Sequence, residues 1–170
     1  MSEIVECAKK ILEDFPIRKK LPASISGKYH IGETQEEHVE IAVNVMKHLC
    51  DEFNVHGEDR ELLIAATYLH DLGLYVISTK KQTEIKEWKF YEKTGWHRSN
   101  ALMKLHPLIG STLLDKYDIP RKAELKRLIS VHMSHWYHDC PQPQTLHEYL
   151  ICVADYVASR GADIIKYEGR

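Results

Sequence analysis

The sequence predicts an all-α protein. Three observations lead there. Apolar residues recur at helical spacing in segment after segment, two Thr-x-x-Glu capping patterns open apolar runs, and strand-like alternation is almost absent.

The elements follow in order. Ile4, Cys7, Ala8, Ile11 and Leu12 predict a helix over about residues 3–14, ended by Phe15-Pro16. Pro16, Pro22, Gly27 and Gly32 make residues 16–33 an irregular connection. Thr34 and Glu37 form a capping box, followed by a stripe of Ile41, Ala42, Val45, Leu49 and Phe53 that also takes in His38 when extended backwards. After a turn at Asn54–Gly57, Asp59 is the expected N-cap of a helix carrying Leu62, Leu63, Ala66 and Leu69. That helix runs into His70-Asp71 and is expected to stop at Gly73, a residue suited to the position after a helix end.

Residues 74–104 are the least regular. Val76-Ile77 reads as an extended piece, and lysines and arginines then alternate with Trp88, Phe90, Tyr91 and Trp96. Helical pattern resumes at His106-Pro107, with proline suited to the first turn, and continues through Leu108, Ile109, Leu113 and Leu114. A further helix carries Leu125, Leu128, Ile129 and His132. Pro141 and Pro143 mark a loop. Thr145 and Glu148 cap a last helix with Leu146, Leu150, Val153, Ala154 and Val157, in which Asp155 shares its face with Ile151, Ala154 and Ala158 and so points inward.

A chain of 170 residues with 44% hydrophobic content suits one domain over residues 1–170 with a full core. A net charge of −2 gives no global attraction to nucleic acid or an anionic membrane. No apolar run approaches the roughly 18 residues of a membrane span, and the N-terminus lacks a basic-then-apolar leader. The expectation is a soluble cytoplasmic protein with no membrane partner. Cys7, Cys50, Cys140 and Cys152 form no C-x-x-C pair, and Cys50 and Cys152 read as small core residues.

Six residues carry the chemistry: His38, His70, Asp71, His106, His132 and Asp155. Adjacent helical residues point about 100° apart, so His70 and Asp71 offer two ligands from one backbone point. Four histidines and two carboxylates make a nitrogen and oxygen donor set that suits Mn, Fe, Ni, Co or Zn. Six ligands, with Asp71 bridging through its two oxygens, suffice for two ions. Two metals roughly 3.5–4 Å apart can hold a hydroxide and polarise a phosphoryl oxygen.

The order H…HD…H…H…D resembles the HD superfamily of metal-dependent phosphohydrolases. It is carried by Glu37-His38-Val39, His70-Asp71-Leu72-Gly73, His106-Pro107-Leu108-Ile109-Gly110, Ile129-Ser130-Val131-His132 and Ala154-Asp155-Tyr156-Val157. The resemblance implies a helical bundle in which His38, His70, Asp71 and Asp155 hold one metal and His106 and His132 help to hold a second, with His70 and Asp71 as the catalytic pair. The closest sub-pattern is similar to small bacterial proteins that cleave diadenosine polyphosphates. Cyclic-dinucleotide phosphodiesterases and CRISPR-associated nucleases share the six-ligand logic. The implied reaction is hydrolysis of a phosphoester or phosphoanhydride in a nucleotide-like substrate.

Leu74 stands where several of these proteins carry a lysine, so Lys80, Lys81 or Arg98 is the expected phosphate contact instead, with His135 near the substrate. The alternatives are a nuclease acting on single-stranded nucleic acid, which the basic segment 80–104 favours and the net charge opposes, and a non-catalytic metal- or nucleotide-binding domain. His30, His48, His56, His97 and His147 read as surface residues.

Overall fold

The computed structural model describes residues 2–23, 33–79, 98–138 and 140–160, and for residues 98–103 the backbone alone. All regular secondary structure among the described residues is helical, apart from one isolated antiparallel bridge between Pro22 and Thr34. The elements are α1 (Glu3–Glu13), a 3-10 turn (Pro16–Lys19), α2 (Gln35–Glu52), α3 (Gly57–Leu69), α4 (Leu72–Thr79), α5 (Arg98–Leu113), a second 3-10 turn (Leu114–Lys116), α6 (Lys122–Val131) and α7 (Leu146–Ser159).

Helix α3 is the centre. Residues Leu62–Thr67 and Leu69 are all buried, because α1, α2, α6 and α7 pack around it. A helix apolar on every side must be enclosed in this way. Helices α3 and α4 together, Gly57–Thr79, are long and apolar enough to cross a membrane by length and composition, although no single unbroken apolar run is. Of their most apolar stretch 78% is buried inside the fold, as in a core helix. Helix α4 packs on α5, α5 on α6, and α2 on α7.

Several expected boundaries move. The buried face of α2 is His38, Val39, Ala42, Val43, Met46 and Cys50. Ile41, Val45 and Leu49 form only its half-buried edge, and Phe53 is exposed. The shift follows from α2 being covered by α3 on one side and α7 on the other. Helix α3 begins at Gly57 with His56 as its N-cap, and Asp59 lies in the first turn. The preceding turn places Asn54 (φ 52°) and Gly57 (φ 59°) in the left-handed region, where asparagine and glycine are the least strained residues.

Gly73 is no helix terminator. It lies inside α4, and Val76 and Ile77 are helical with it. Its role is close packing: a Cβ at Gly73 would lie 1.9 Å from the carbonyl oxygen of His106. Gly110 matches it from α5, where a Cβ would meet the Gly73 nitrogen at 3.1 Å. Pro107 does not open α5 but lies buried within it, and the helix starts at Arg98. On α7, Leu146 and Val153 face outward and are exposed, against expectation, while Leu150, Ile151, Cys152, Ala154 and Ala158 face the core.

Gly73→Ala must push α5 away from α4, because backbone cannot yield as a flexible side chain can. Such overpacking costs about 3 kcal/mol, the upper end of its range. Thermal melting should show the midpoint lowered by roughly 6–12 °C, with a smaller loss for Gly110→Ala. An unchanged midpoint for Gly73→Ala would contradict the close approach.

Candidate metal centre

Each of the six chemical residues is delivered by a different local device. Helix α2 is started by a complete capping box: Thr34 Oγ1 accepts from the Glu37 backbone N–H at 3.3 Å, and Glu37 Oε2 accepts from the Thr34 backbone N–H at 2.7 Å. The His38 N–H then donates to the Thr34 carbonyl at 3.0 Å, one turn into the helix and on its buried face. His70 caps the end of α3 with helical backbone angles (φ −57°, ψ −37°). The chain therefore passes into α4 almost in line, and Asp71 projects one residue round from His70. Helix α5 carries His106 at the point of closest approach to Gly73. His132 caps the end of α6, and Asp155 lies on the inner face of α7.

All six are buried, none more than 7% exposed. They form two groups of three. The ligand atoms of His38, His70 and Asp155 lie within 4.8 Å of one another, as do those of Asp71, His106 and His132. In the first group, His38 Nε2 is 3.2 Å from Asp155 Oδ1 and 3.2 Å from His70 Nε2. In the second, His106 Nε2 is 2.9 Å from His132 Nε2. Asp71, a member of the second, also faces the first. Its Oδ2 lies 3.3 Å from His70 Nε2 and 3.6 Å from His38 Nε2. Its Oδ1 lies 3.2 Å from His106 Nε2 and 3.7 Å from His132 Nε2.

The tautomers follow from the backbone. His70 Nδ1 is 2.7 Å from the Thr67 carbonyl, and His132 Nδ1 is 2.7 Å from the Ile129 carbonyl. A carbonyl only accepts, so each neutral ring carries its proton on Nδ1 and turns the Nε2 lone pair into the cluster. This arrangement prepares a histidine to ligate a metal. Converging imidazole nitrogens and carboxylate oxygens, with no thiol among them, fit the divalent ions expected from the sequence.

Charge is unevenly shared. Burial pushes the His70 pKa down, but the charges and hydrogen bonds of Asp71 and Asp155 outweigh it and hold the imidazolium well above the ordinary histidine value. Burial alone would raise Asp71. Its neighbours His70, His106 and His132 instead hold it well below the usual carboxylate range. Asp155 is lowered in the same way, against burial, by His38 and His70. His132 moves the other way: burial lowers it, and Asp71 offsets this only in part.

The remaining expected contacts divide. Lys80 and Lys81 lie outside the described residues, as does the side chain of Arg98, although Arg98 itself opens α5. His135 is exposed, with its ring centroid 5.3 Å from that of Tyr156 and 4.9 Å from that of Trp136. His48 and His56 are exposed and His147 is half-buried, while His30 and His97 lie outside the described residues. Sequence reasoning missed Gly73 as a packing residue and passed over the aromatic neighbours of the ligands. Position held the only signal: Tyr156 adjoins Asp155, and Trp136 follows His132 by four residues.

A family model for the HD domain matches residues 35–160. The chain belongs to the HD domain family. The matched span begins at the first residue of α2, reaches the end of α7 and contains all six buried residues. HD domains are mostly metal-dependent hydrolases that bind divalent ions. No curated protein and no solved structure gives a match. Helix α1 precedes the matched HD region and packs on α3.

The shifts set the pH response of the chelated protein. Asp71 and Asp155 are lowered, so their contribution to stability is complete above about pH 4 and is lost as pH falls through their folded values. His70 is raised, so its contribution is complete below about pH 6.5 and is lost as pH rises through its folded value. Urea midpoints measured in chelator should fall on the alkaline side, and His70→Asn should remove that fall. A flat alkaline profile for the native chain contradicts the ion pairing.

Proposed function

We propose that this protein is a metal-dependent phosphohydrolase that cleaves a phosphoester or phosphoanhydride bond of a nucleotide-like substrate in the cytosol. The observation that supports it most is the carboxylate of Asp71, whose two oxygens face two separate histidine pairs. A carboxylate so placed could serve two divalent ions at once. His38, His70 and Asp155 would complete one position, and His106 and His132 the other. Ions bound there would supply a nucleophile from water at neutral pH and neutralise charge on the phosphoryl group.

The chain's own part in this reading is to hold and shield. The Nδ1–H bonds to the carbonyls of Thr67 and Ile129 keep two imidazoles in the ligating tautomer. The buried setting strengthens every electrostatic interaction in the site. The raised His70 means that protons compete with metal there, so loading improves as pH rises, the opposite of the alkaline weakening of the chelated chain.

Saturating Mn should raise the melting temperature by roughly 5–10 °C at a hundredfold excess over its dissociation constant, and chelator should reverse the rise. Purified protein with Mn or Fe should hydrolyse bis(p-nitrophenyl) phosphate and at least one nucleotide or dinucleotide. Asp71→Asn should lower turnover on the order of 10³-fold with the helical circular dichroism retained. Single-stranded oligonucleotides belong in the same panel, because cleavage of those alone selects the nuclease alternative. No turnover of any phosphoester with any of the metals would overturn the enzymatic reading.

A further inference from the structure

Helix α7 has two faces. Asp155 lies on the inner one. The outer one carries Leu146, Tyr149, Val153 and Tyr156, each at least 40% exposed. Their spacing of three, four and three residues makes one stripe. The chain that follows His132 returns alongside this stripe and leaves a groove of about 440 Å³, lined by Ser134, His135, Pro143, Tyr149, Val153 and Tyr156 together with Gln142 and Cys152. That volume is in the range of small-molecule sites.

Two properties of the groove narrow its occupant. The first is its place: His135 is three residues beyond His132 and close enough to Asp155 to feel its charge, so this end of the groove lies toward the buried cluster. The second is its chemistry. Two of its lining rings, His135 and Tyr156, cluster with the neighbouring Trp136, with centroids 4.9–5.4 Å apart. The Arg160 guanidinium lies 5.7 Å from the Trp136 ring and 5.5 Å from the Tyr156 ring. Two of the polar side chains in the lining are already engaged. Ser134 Oγ is 3.2 Å from Cys152 Sγ, and Gln142 donates to the Cys140 carbonyl at 2.8 Å. The groove presents the rings of His135, Tyr149 and Tyr156.

We propose that this groove binds the nucleobase of the substrate by stacking, an assignment that rests on the phosphohydrolase reading above. A phosphate bound at the buried cluster would direct the rest of the nucleotide toward this groove. Stacking is sequence-tolerant because every base has a π-face. By stacked area the groove favours purines over pyrimidines, and stacking alone separates adenine from guanine poorly.

Nucleosides carry no phosphate and test the groove apart from catalysis. Adenosine and guanosine titrated into the chelated protein should change tryptophan fluorescence with similar affinities, ribose should change nothing, and Trp136→Phe should remove the response. Tyr156→Ala, at an exposed position, should weaken binding at least about tenfold. No nucleoside response at millimolar concentrations, or equal binding by Tyr156→Ala, overturns the proposal. So does sedimentation showing a native dimer that Val153→Glu dissociates, since the stripe would then be covered by a second copy. Nucleoside binding without any phosphoester turnover supports the groove and removes the phosphohydrolase reading alone. Turnover without nucleoside binding does the reverse.

Discussion

Taking a carboxylate out of water costs several kcal/mol unless hydrogen bonds and opposite charge replace the solvent. Asp71 and Asp155 are 5% and 7% exposed, among helices whose other inward positions are chiefly Leu, Ile, Val and Ala. The bundle has to bring compensation to them. Four imidazoles do so, one each from α2, the α3–α4 junction, α5 and the end of α6. Helix α2 must lie on α7 for His38 to reach Asp155, and α5 must press on α4 for His106 to reach Asp71. The missing side chain at Gly73 is what permits the second approach. Packing and site are thus one constraint seen from two sides.

The site was more legible in the sequence than the fold around it. His38, His70, Asp71, His106, His132 and Asp155 could be selected because polar residues on apolar helical faces stand out, and because their order resembles a known pattern. The convergence of all six is a property of the tertiary structure that the order only implied. The division into two triads with Asp71 between them needed distances.

What the sequence hid has a common physical cause. Helical periodicity reports that a face is covered, but not from which direction. Helix α2, covered from two sides, buries a face shifted from the stripe first read. Gly73 looks like a helix end by composition, yet its function is set by a backbone on another helix that local sequence cannot reveal. Val76 and Ile77 have strand-like side chains, but burial against α5 and continuity with α3 keep them helical, a case of tertiary context overriding propensity. Val153 misled in the opposite direction: an apolar residue at helical spacing was assigned to the core and lies on the outer stripe.

Leu74 ties the site to the substrate question. The resemblance sets a lysine at this position in several similar proteins, and here the residue is 5% exposed and packed in the core. Its N–H donates to the Asp71 carbonyl at 2.9 Å, so the position belongs to the helix junction. Two described cations lie near the aromatic rim, Arg160 over Trp136 and Tyr156 and Lys104 over Tyr137, where they serve ring faces. With its four imidazoles neutral, as metal ligands must be, the two carboxylates would give the buried cluster a formal charge of −2. In the proposed reading, one divalent ion would only cancel that charge. Two would leave an excess of +2, enough to hold an anionic phosphoryl group without a lysine. A leucine at this position and the division of the six buried residues into two triads around Asp71 are then consistent with each other.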